Sequence, residues 1–153
     1  MAIFLVQHGK NTPKDQDPEQ PLSEEGHFEV KRIANVAKEY HIPVKCIKHS
    51  GKKRAQQTAE LFAAECTPDP SVEMMAGLGA LDEVTVIAAQ LKPSDNVMLV
   101  GHLPFMEKLV CYLTTASTEH RVVKFQNGGI VCLDKNIDDK QWFIKWTLMP
   151  HIQ

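Results

Sequence analysis

Ile3-Phe4-Leu5-Val6-Gln7-His8-Gly9 is the stretch on which the reading of this chain turns. A short apolar run, partly β-branched, breaks off into an amide, an imidazole and a glycine. That pattern predicts a strand buried on both faces, the usual habit of a parallel sheet. Gln7-His8-Gly9 then stands at the strand's carboxyl end, where open α/β sheets hold their ligands. Glycine at that point lets the backbone turn tightly and approach a ligand closely. The same arrangement recurs twice. Val44 to Lys48 reads as a second strand and runs into His49-Ser50-Gly51, and Asn96 to Val100 reads as another and runs into Gly101-His102.

The segments between these strands carry helical signals. After the first strand, Lys10 to Pro21 is a long polar loop with three prolines, of the length that functional or mobile loops have. Ser23 is placed to cap a helix whose inward positions are Val30, Ile33, Ala34 and Ala37, ending near Tyr40. A second helix puts Ala55, Thr58, Ala59 and Phe62 on one face, with Arg54 in its first turn, and Pro68 and Pro70 close it. Val72 to Met75 is a further short strand. Gly77-Leu78-Gly79 makes a loop, and a third helix turns Val84, Ile87, Ala88 and Leu91 inward. Pro104 is suited to open a fourth, lined by Met106, Leu109, Val110 and Leu113.

The last third changes character. Asn127-Gly128, flanked by Val122 to Phe125 and by Gly129 to Leu133, predicts a hairpin. Trp142, Ile144, Trp146 and Leu148 alternate as in a half-buried strand. Strands alternating with helices, then an antiparallel finish, describe one α/β domain over residues 1–153 with a mixed, mostly parallel sheet.

Composition narrows the function. The 153 residues carry a formal charge of −2, with a pI near 6.4, which argues against nucleic-acid or anionic-membrane partners. No run is long and apolar enough for a membrane span or signal peptide. Cys46, Cys66, Cys111 and Cys132 lack CxxC spacing and predict free thiols in a reducing compartment, the cytoplasm.

Right-handed crossovers make the three strands parallel, so their carboxyl ends share one edge of the sheet. His8, Arg54 and His102 are thereby expected to meet. Two imidazoles and a guanidinium beside helix N-termini suit a dianionic phosphate. A neutral imidazole can also attack phosphorus and carry the phosphoryl group.

Gln7-His8-Gly9, Pro21-Leu22-Ser23-Glu24-Glu25-Gly26, Ser50-Gly51-Lys52-Lys53-Arg54-Ala55-Gln56-Gln57-Thr58-Ala59 and Val100-Gly101-His102-Leu103-Pro104 together resemble the motifs of the histidine phosphatase superfamily. Size, motif order and the Trp-bearing final strand look most like its small SixA-type branch, the phosphohistidine phosphatases. The resemblance covers nearly the whole chain. It implies a three-layer α/β/α sandwich of the phosphoglycerate mutase-like kind. It also implies His8 as nucleophile and Arg54 as clamp on the phosphate oxygens. His102 would stabilise developing charge, and Gln7 and Gly9 would complete the phosphate site. No metal or organic cofactor is implied. The partner would be a protein bearing phosphohistidine or a small phosphorylated compound.

Two departures stand out. The family's first motif begins with arginine where this chain has Gln7, which keeps hydrogen bonding but loses the charge and the rigid fork. Loss of one oxyanion donor typically costs about 10²–10³ in rate, so Lys10, Lys52 and Lys53 come into question as replacements. Gly51 stands where the branch has proline, which predicts a looser strand-to-helix turn. Asp82 and Glu83 are the nearest candidates for a general acid, with Asp82 expected instead to cap the third helix.

Competing readings follow from the same residues. Gln7 allows a weakened member that only binds phosphate or phosphoprotein. A nucleotide-binding or receiver-like domain fits poorly, since no G-x-G-x-x-G follows the first strand and no acidic cluster marks the strand ends. His27, His41 and His120 read as surface residues, and His49 as a structural or supporting residue at its strand end. Cys46 with His49 is half a metal site without a second pair.

Overall fold

The computed structural model describes residues 1–69 and 71–152, so the helix stop expected at Pro70 lies outside the described residues. Six strands form one sheet in the order β3-β2-β4-β1-β5-β6. They are β1 (Ile3–Gln7), β2 (Cys46–His49), β3 (Ser71–Met74), β4 (Val97–Gly101), β5 (Ile130–Lys135) and β6 (Trp142–Leu148). β1, β2, β3 and β4 run parallel, while β5 and β6 are antiparallel additions beside β1. Four helices cover the sheet: α1 (Glu24–Glu39), α2 (Lys53–Cys66), α3 (Val84–Ala88) and α4 (Phe105–Thr115).

Strand alternation sorts the core into two layers. Phe4, Val6, Ile47, Met98 and Val100 pack under α1 and α2, against Val30, Ala34, Ala59 and Phe62. Ile3, Leu5, Leu99, Val131 and Leu133 face the other way, onto Ile87 of α3 and Phe105, Met106 and Leu109 of α4. The chain is thus the three-layer α/β/α sandwich with a mostly parallel mixed sheet that its sequence implied. Ser23 caps α1 as expected, its side chain accepting from the Gly26 N–H. Gly26 has to be glycine, because a Cβ there would lie 2.0 Å from the carbonyl oxygen of Lys10. That close approach docks the start of α1 onto the loop leaving His8.

Two sequence expectations fail for physical reasons. No strand forms at 122–125, so Asn127-Gly128 joins no hairpin there. β5 is paired on both edges, with β1 and with β6, leaving 122–125 no place beside it. Its Phe125 serves as core filler instead. The hairpin in this region is β5–β6. The alternation of the final strand is also interrupted. Between Cys132 and Leu133 the pairing with β6 slips by one residue, from Trp146 to Ile144. A bulge adds one residue to a strand of period two and so exchanges its faces. Trp146 and Leu148 accordingly pack on the α1–α2 side, and Trp142 and Ile144 on the α3–α4 side.

Candidate active site

The parallel arrangement brings the carboxyl ends of β2, β4 and β1 side by side, and the residues just beyond them converge. His8 and His102 are both buried, with ring centroids 5.0 Å apart and planes tilted by 54°. Arg54, in the first turn of α2, points its Nε–H at Nε2 of His8, 3.4 Å away. The three residues singled out in the sequence meet, although 94 positions separate the two histidines.

His8 is held in a defined protonation state. Its Nδ1 lies 2.7 Å from the carbonyl oxygen of Gly9. A carbonyl can only accept, so the ring proton sits on Nδ1 and the Nε2 lone pair is left toward Arg54. Burial, joined by the Arg54 charge, lowers the His8 pKa to about 4, against the opposing pull of the Gly9 carbonyl. His102 is likewise lowered to about 4, by burial first and then by the positive surroundings of His8, Arg54 and Lys52. Both rings are neutral at pH 7, so the Nε2 lone pair of His8 is present without a base to uncover it.

The backbone around His8 is braced from three sides. Thr58 Oγ1 accepts from the Gly9 N–H at 3.0 Å and donates to the Arg54 carbonyl at 2.8 Å. Asn127 donates from its side-chain amide to the His8 carbonyl at 3.0 Å, and Gly128 N–H donates to the Gln7 carbonyl at 2.9 Å. The Asn127-Gly128 turn is thus spent on the end of β1 rather than on a hairpin. Ser50 Oγ lies 2.6 Å from His102 Nε2. Thr58, Asn127 and Ser50 escaped the sequence reading as site residues. Thr58 looked like a core position of α2, Asn127 like turn chemistry, and only the placement of Ser50 at a strand end hinted at its role.

Other residues fall into structural places. His49 is buried, and its Nδ1 accepts from the Gly51 N–H, closing the turn after β2. Gly51 has φ +95°, a backbone closed to proline, whose ring holds φ near −65°. The turn after β2 therefore needs a residue that tolerates this backbone, as glycine does. Asp82 does not cap α3. Its carboxylate accepts from the Gly79 N–H at 2.7 Å, and Glu83 is the capping residue. Both carboxylates are exposed and engaged in local backbone bonds. His27, His41 and His120 are exposed, as expected.

The lysines offered as replacements for a cation at position 7 are mostly committed. Lys10 pairs with Glu25 at 2.7 Å and Glu29 at 3.3 Å, and Lys53 pairs with Glu19 at 2.9 Å. Lys52 remains, close enough to act on His102. Arg54 forms no ion pair among the described residues. Its terminal N–H groups are thus available to an anion. The long loop is pinned too, by a bridge between Asn11 and Leu22 and by the Thr12 N–H to Pro21 carbonyl bond.

Residues 3–84, more than half of the chain, match the histidine phosphatase superfamily (branch 1). The chain belongs to that superfamily. Membership makes it a phosphatase, a hydrolase of phosphoryl groups. It is 28% identical over 125 residues to the phosphohistidine phosphatase SixA of Escherichia coli, covering 77% of each chain. The structure of a protein histidine phosphatase SixA complexed with tungstate superposes with a TM-score of 0.83 at 24% identity, over 98% of this chain and 97% of that one. A phosphoserine phosphatase of Entamoeba histolytica, solved with 3-phosphoglyceric acid, shares the fold at 13% identity and a TM-score of 0.70, over 95% of each chain. The chain is thus similar to SixA phosphatases in sequence and in fold. No helix among the described residues is long and apolar enough to cross a membrane.

Two expectations follow from this geometry. Between the folded pKa of about 4 and the ordinary histidine value of about 6.5, the unfolded chain binds more protons at positions 8 and 102. Stability therefore rises with pH through that window, is fully present above it, and is lost as pH falls toward 4. Thermal melts from about pH 7 down to about pH 4 should show a falling Tm. Second, Thr58→Val keeps the shape but leaves the Gly9 N–H without an acceptor. An unsatisfied buried donor costs about 1–3 kcal/mol, or a few degrees of Tm on roughly the scale for a chain of this size. Misplacing His8 should lower the rate by about 10²-fold. A melt and a turnover assay on the same variant check both.

Proposed function

We propose that this protein is a phosphohistidine phosphatase that works through a covalent phosphohistidine on His8. The observation that carries the reading is the His8 Nδ1–H bond to the Gly9 carbonyl, which leaves the Nε2 lone pair facing the Nε–H of Arg54, a guanidinium with no carboxylate partner among the described residues. In this reading Nε2 attacks phosphorus, and Arg54 binds the non-bridging oxygens as charge spreads over them. His102, oriented by Ser50, faces the same phosphoryl group from the neighbouring strand. Water then releases phosphate and restores His8. Gln7 would contribute to the phosphate site from the end of β1, whereas Gly9, expected to do the same, has its N–H taken by Thr58 and its carbonyl by the His8 ring.

The 28% identity to a phosphohistidine phosphatase supports the substrate class. So does the engagement of Asp82 and Glu83 elsewhere, because an imidazole leaving group has less need of a carboxylic acid than an alkoxide does. The partner would be a phosphorylated protein or a small phosphorylated compound. Four free cysteines fit a cytoplasmic setting.

One observation favours a second reading. Gln7 replaces a cation, and neither Lys10 nor Lys53 is free to restore it. A protein with that defect could hold phosphoprotein without turning it over. Phosphate release from a phosphohistidine-bearing protein and from a phenolic phosphate ester separates the two. An alkaline denaturing quench, in which phosphohistidine survives, traps label on the enzyme. Turnover with trapped label supports the phosphatase. Saturable binding that Arg54 is needed for, with no turnover, supports the binding module.

A further inference from the structure

We infer that Gln126 is a positioning residue for His8, coupling the turn that holds the His8 backbone to a strap formed by Met149, Pro150 and His151. The inference rests on the phosphatase reading, in which His8 must present Nε2 to phosphorus, and adds the element that keeps it aimed.

The turn needs such a hold. Asn127 and Gly128 supply the bonds to the His8 and Gln7 carbonyls, at 3.0 Å and 2.9 Å. They follow a stretch, 117–126, that carries no helix or strand and is mostly exposed. Segments of that kind open locally at little cost. β5 fixes the turn on its far side, where Ile130 pairs with Val6. Asn127 can hold His8 only as firmly as it is itself held from the near side.

The strap supplies that hold. The side-chain amide of Gln126 pairs with the backbone of His151 in both directions. Its Nε2 donates to the His151 carbonyl at 2.9 Å, and its Oε1 accepts from the His151 N–H at 2.9 Å. Gly129 lets the two segments touch, because a Cβ there would run into the Met149 sulfur. The strap is anchored in turn on α1. Arg32 Nη2 donates to the carbonyl of the buried Pro150 at 2.6 Å. His151 Nε2 lies 3.1 Å from an oxygen of Glu29, a buried carboxylate that also takes Lys10 at 3.3 Å. Lys10 is two residues beyond His8, and its carbonyl accepts from the Ser23 N–H at 3.0 Å. The strap therefore reaches both sides of the nucleophile, through 126–128 and through Glu29 with Lys10.

Gln126 bonds to none of His8, Arg54 and His102 among the described residues, so it acts through its neighbour Asn127. Its two bonds lie at an exposed position, where water competes for both partners and the net gain in stability is small. Aim is the larger effect, since a displacement of about 1 Å can cost about 10²-fold in rate.

The test compares wild type with Gln126→Ala, Gln126→Glu, Asn127→Ala and the Gln126→Ala/Asn127→Ala double variant. Steady-state kinetics use a phosphohistidine-bearing protein, with phosphate as competitive inhibitor. The His8 Nδ1–H, bonded to the Gly9 carbonyl at 2.7 Å, gives a downfield proton resonance that is assigned by its absence in His8→Ala. Gln126→Ala should lower kcat about tenfold, leave inhibition by phosphate nearly unchanged, and shift or broaden that resonance. Gln126→Glu keeps the bond from the His151 N–H and loses the one to its carbonyl, so it should fall between. The double variant should be no slower than Asn127→Ala, because both changes break one line of support. Effects that multiply in the double variant overturn the proposal. So does an unchanged kcat with an unmoved resonance in Gln126→Ala. A loss of activity in both Gln126 variants that comes only from a Tm below the assay temperature overturns it too. Label trapped on His8 in wild type, with an unmoved resonance in Gln126→Ala, sinks this inference and leaves the phosphatase reading standing. A moved resonance in a protein that never takes label does the reverse.

Discussion

His8→Ala should abolish phosphate release and leave no label on the protein after an alkaline quench. Removing the nucleophile of a covalent mechanism costs about 10⁴–10⁶ in rate, which puts the variant at the background of most assays. The fold should survive the change. His8 is a buried imidazole whose neutral form is enforced by burial, and its backbone bonds to Gly101, Asn127 and Gly128 do not involve the ring. The variant should therefore melt within a few degrees of wild type at pH 7. It should also lose part of the fall in Tm toward pH 4, since one of the two proton-binding sites is gone. A variant that is folded, binds phosphate and does not turn over assigns the chemical step to His8. Undiminished turnover would sink the covalent mechanism.

Arg54→Ala is expected to be nearly as damaging, by about 10³–10⁵ in rate, the range found when a guanidinium is removed from a phosphoryl-transfer site. With Gln7 neutral and Lys10 and Lys53 tied to carboxylates, Arg54 is the guanidinium of the site. Phosphate binding should weaken along with the rate, because both ground state and transition state carry the charge it faces. Arg54→Lys should recover only a minor part, since a point charge cannot make two parallel bonds to the equatorial oxygens. Stability should change little. Arg54 holds no carboxylate that its loss would leave unpaired, and Thr58 reaches the backbone of residue 54 rather than its side chain. Steady-state kinetics with phosphate as competitive inhibitor reads both effects, and a loss of less than about tenfold would remove Arg54 from the mechanism.

Much of this site was open to reading in the sequence because its chemistry sits at strand ends. An apolar run that stops at a histidine is a local signal, and the handedness of βαβ crossovers carries three such stops to one edge. His8, His102 and Arg54 could thus be brought together from the one-dimensional pattern. Ser23 as the α1 cap was equally local, since the capping hydroxyl and the amide it serves lie three residues apart.

What the sequence could not decide was where non-local partners go. Asn127-Gly128 has the composition of a hairpin turn wherever it occurs. Only the sheet order, with β5 placed between β1 and β6, denied it a hairpin and set it under His8. Lys10 and Lys53 look like free cations until α1 and the 10–21 loop bring Glu25, Glu29 and Glu19 to them. Gln7 is visible as an amide in place of a guanidinium, but that its carbonyl is buried without a donor emerges only from packing. The sequence by itself determined which residues could do phosphoryl chemistry and on which edge they gather, because periodicity and chirality are properties of the chain. Tertiary structure alone decided the proton position on His8, the bracing of its loop and the charge that remains, because hydrogen bonds and ion pairs depend on distances between residues far apart in sequence.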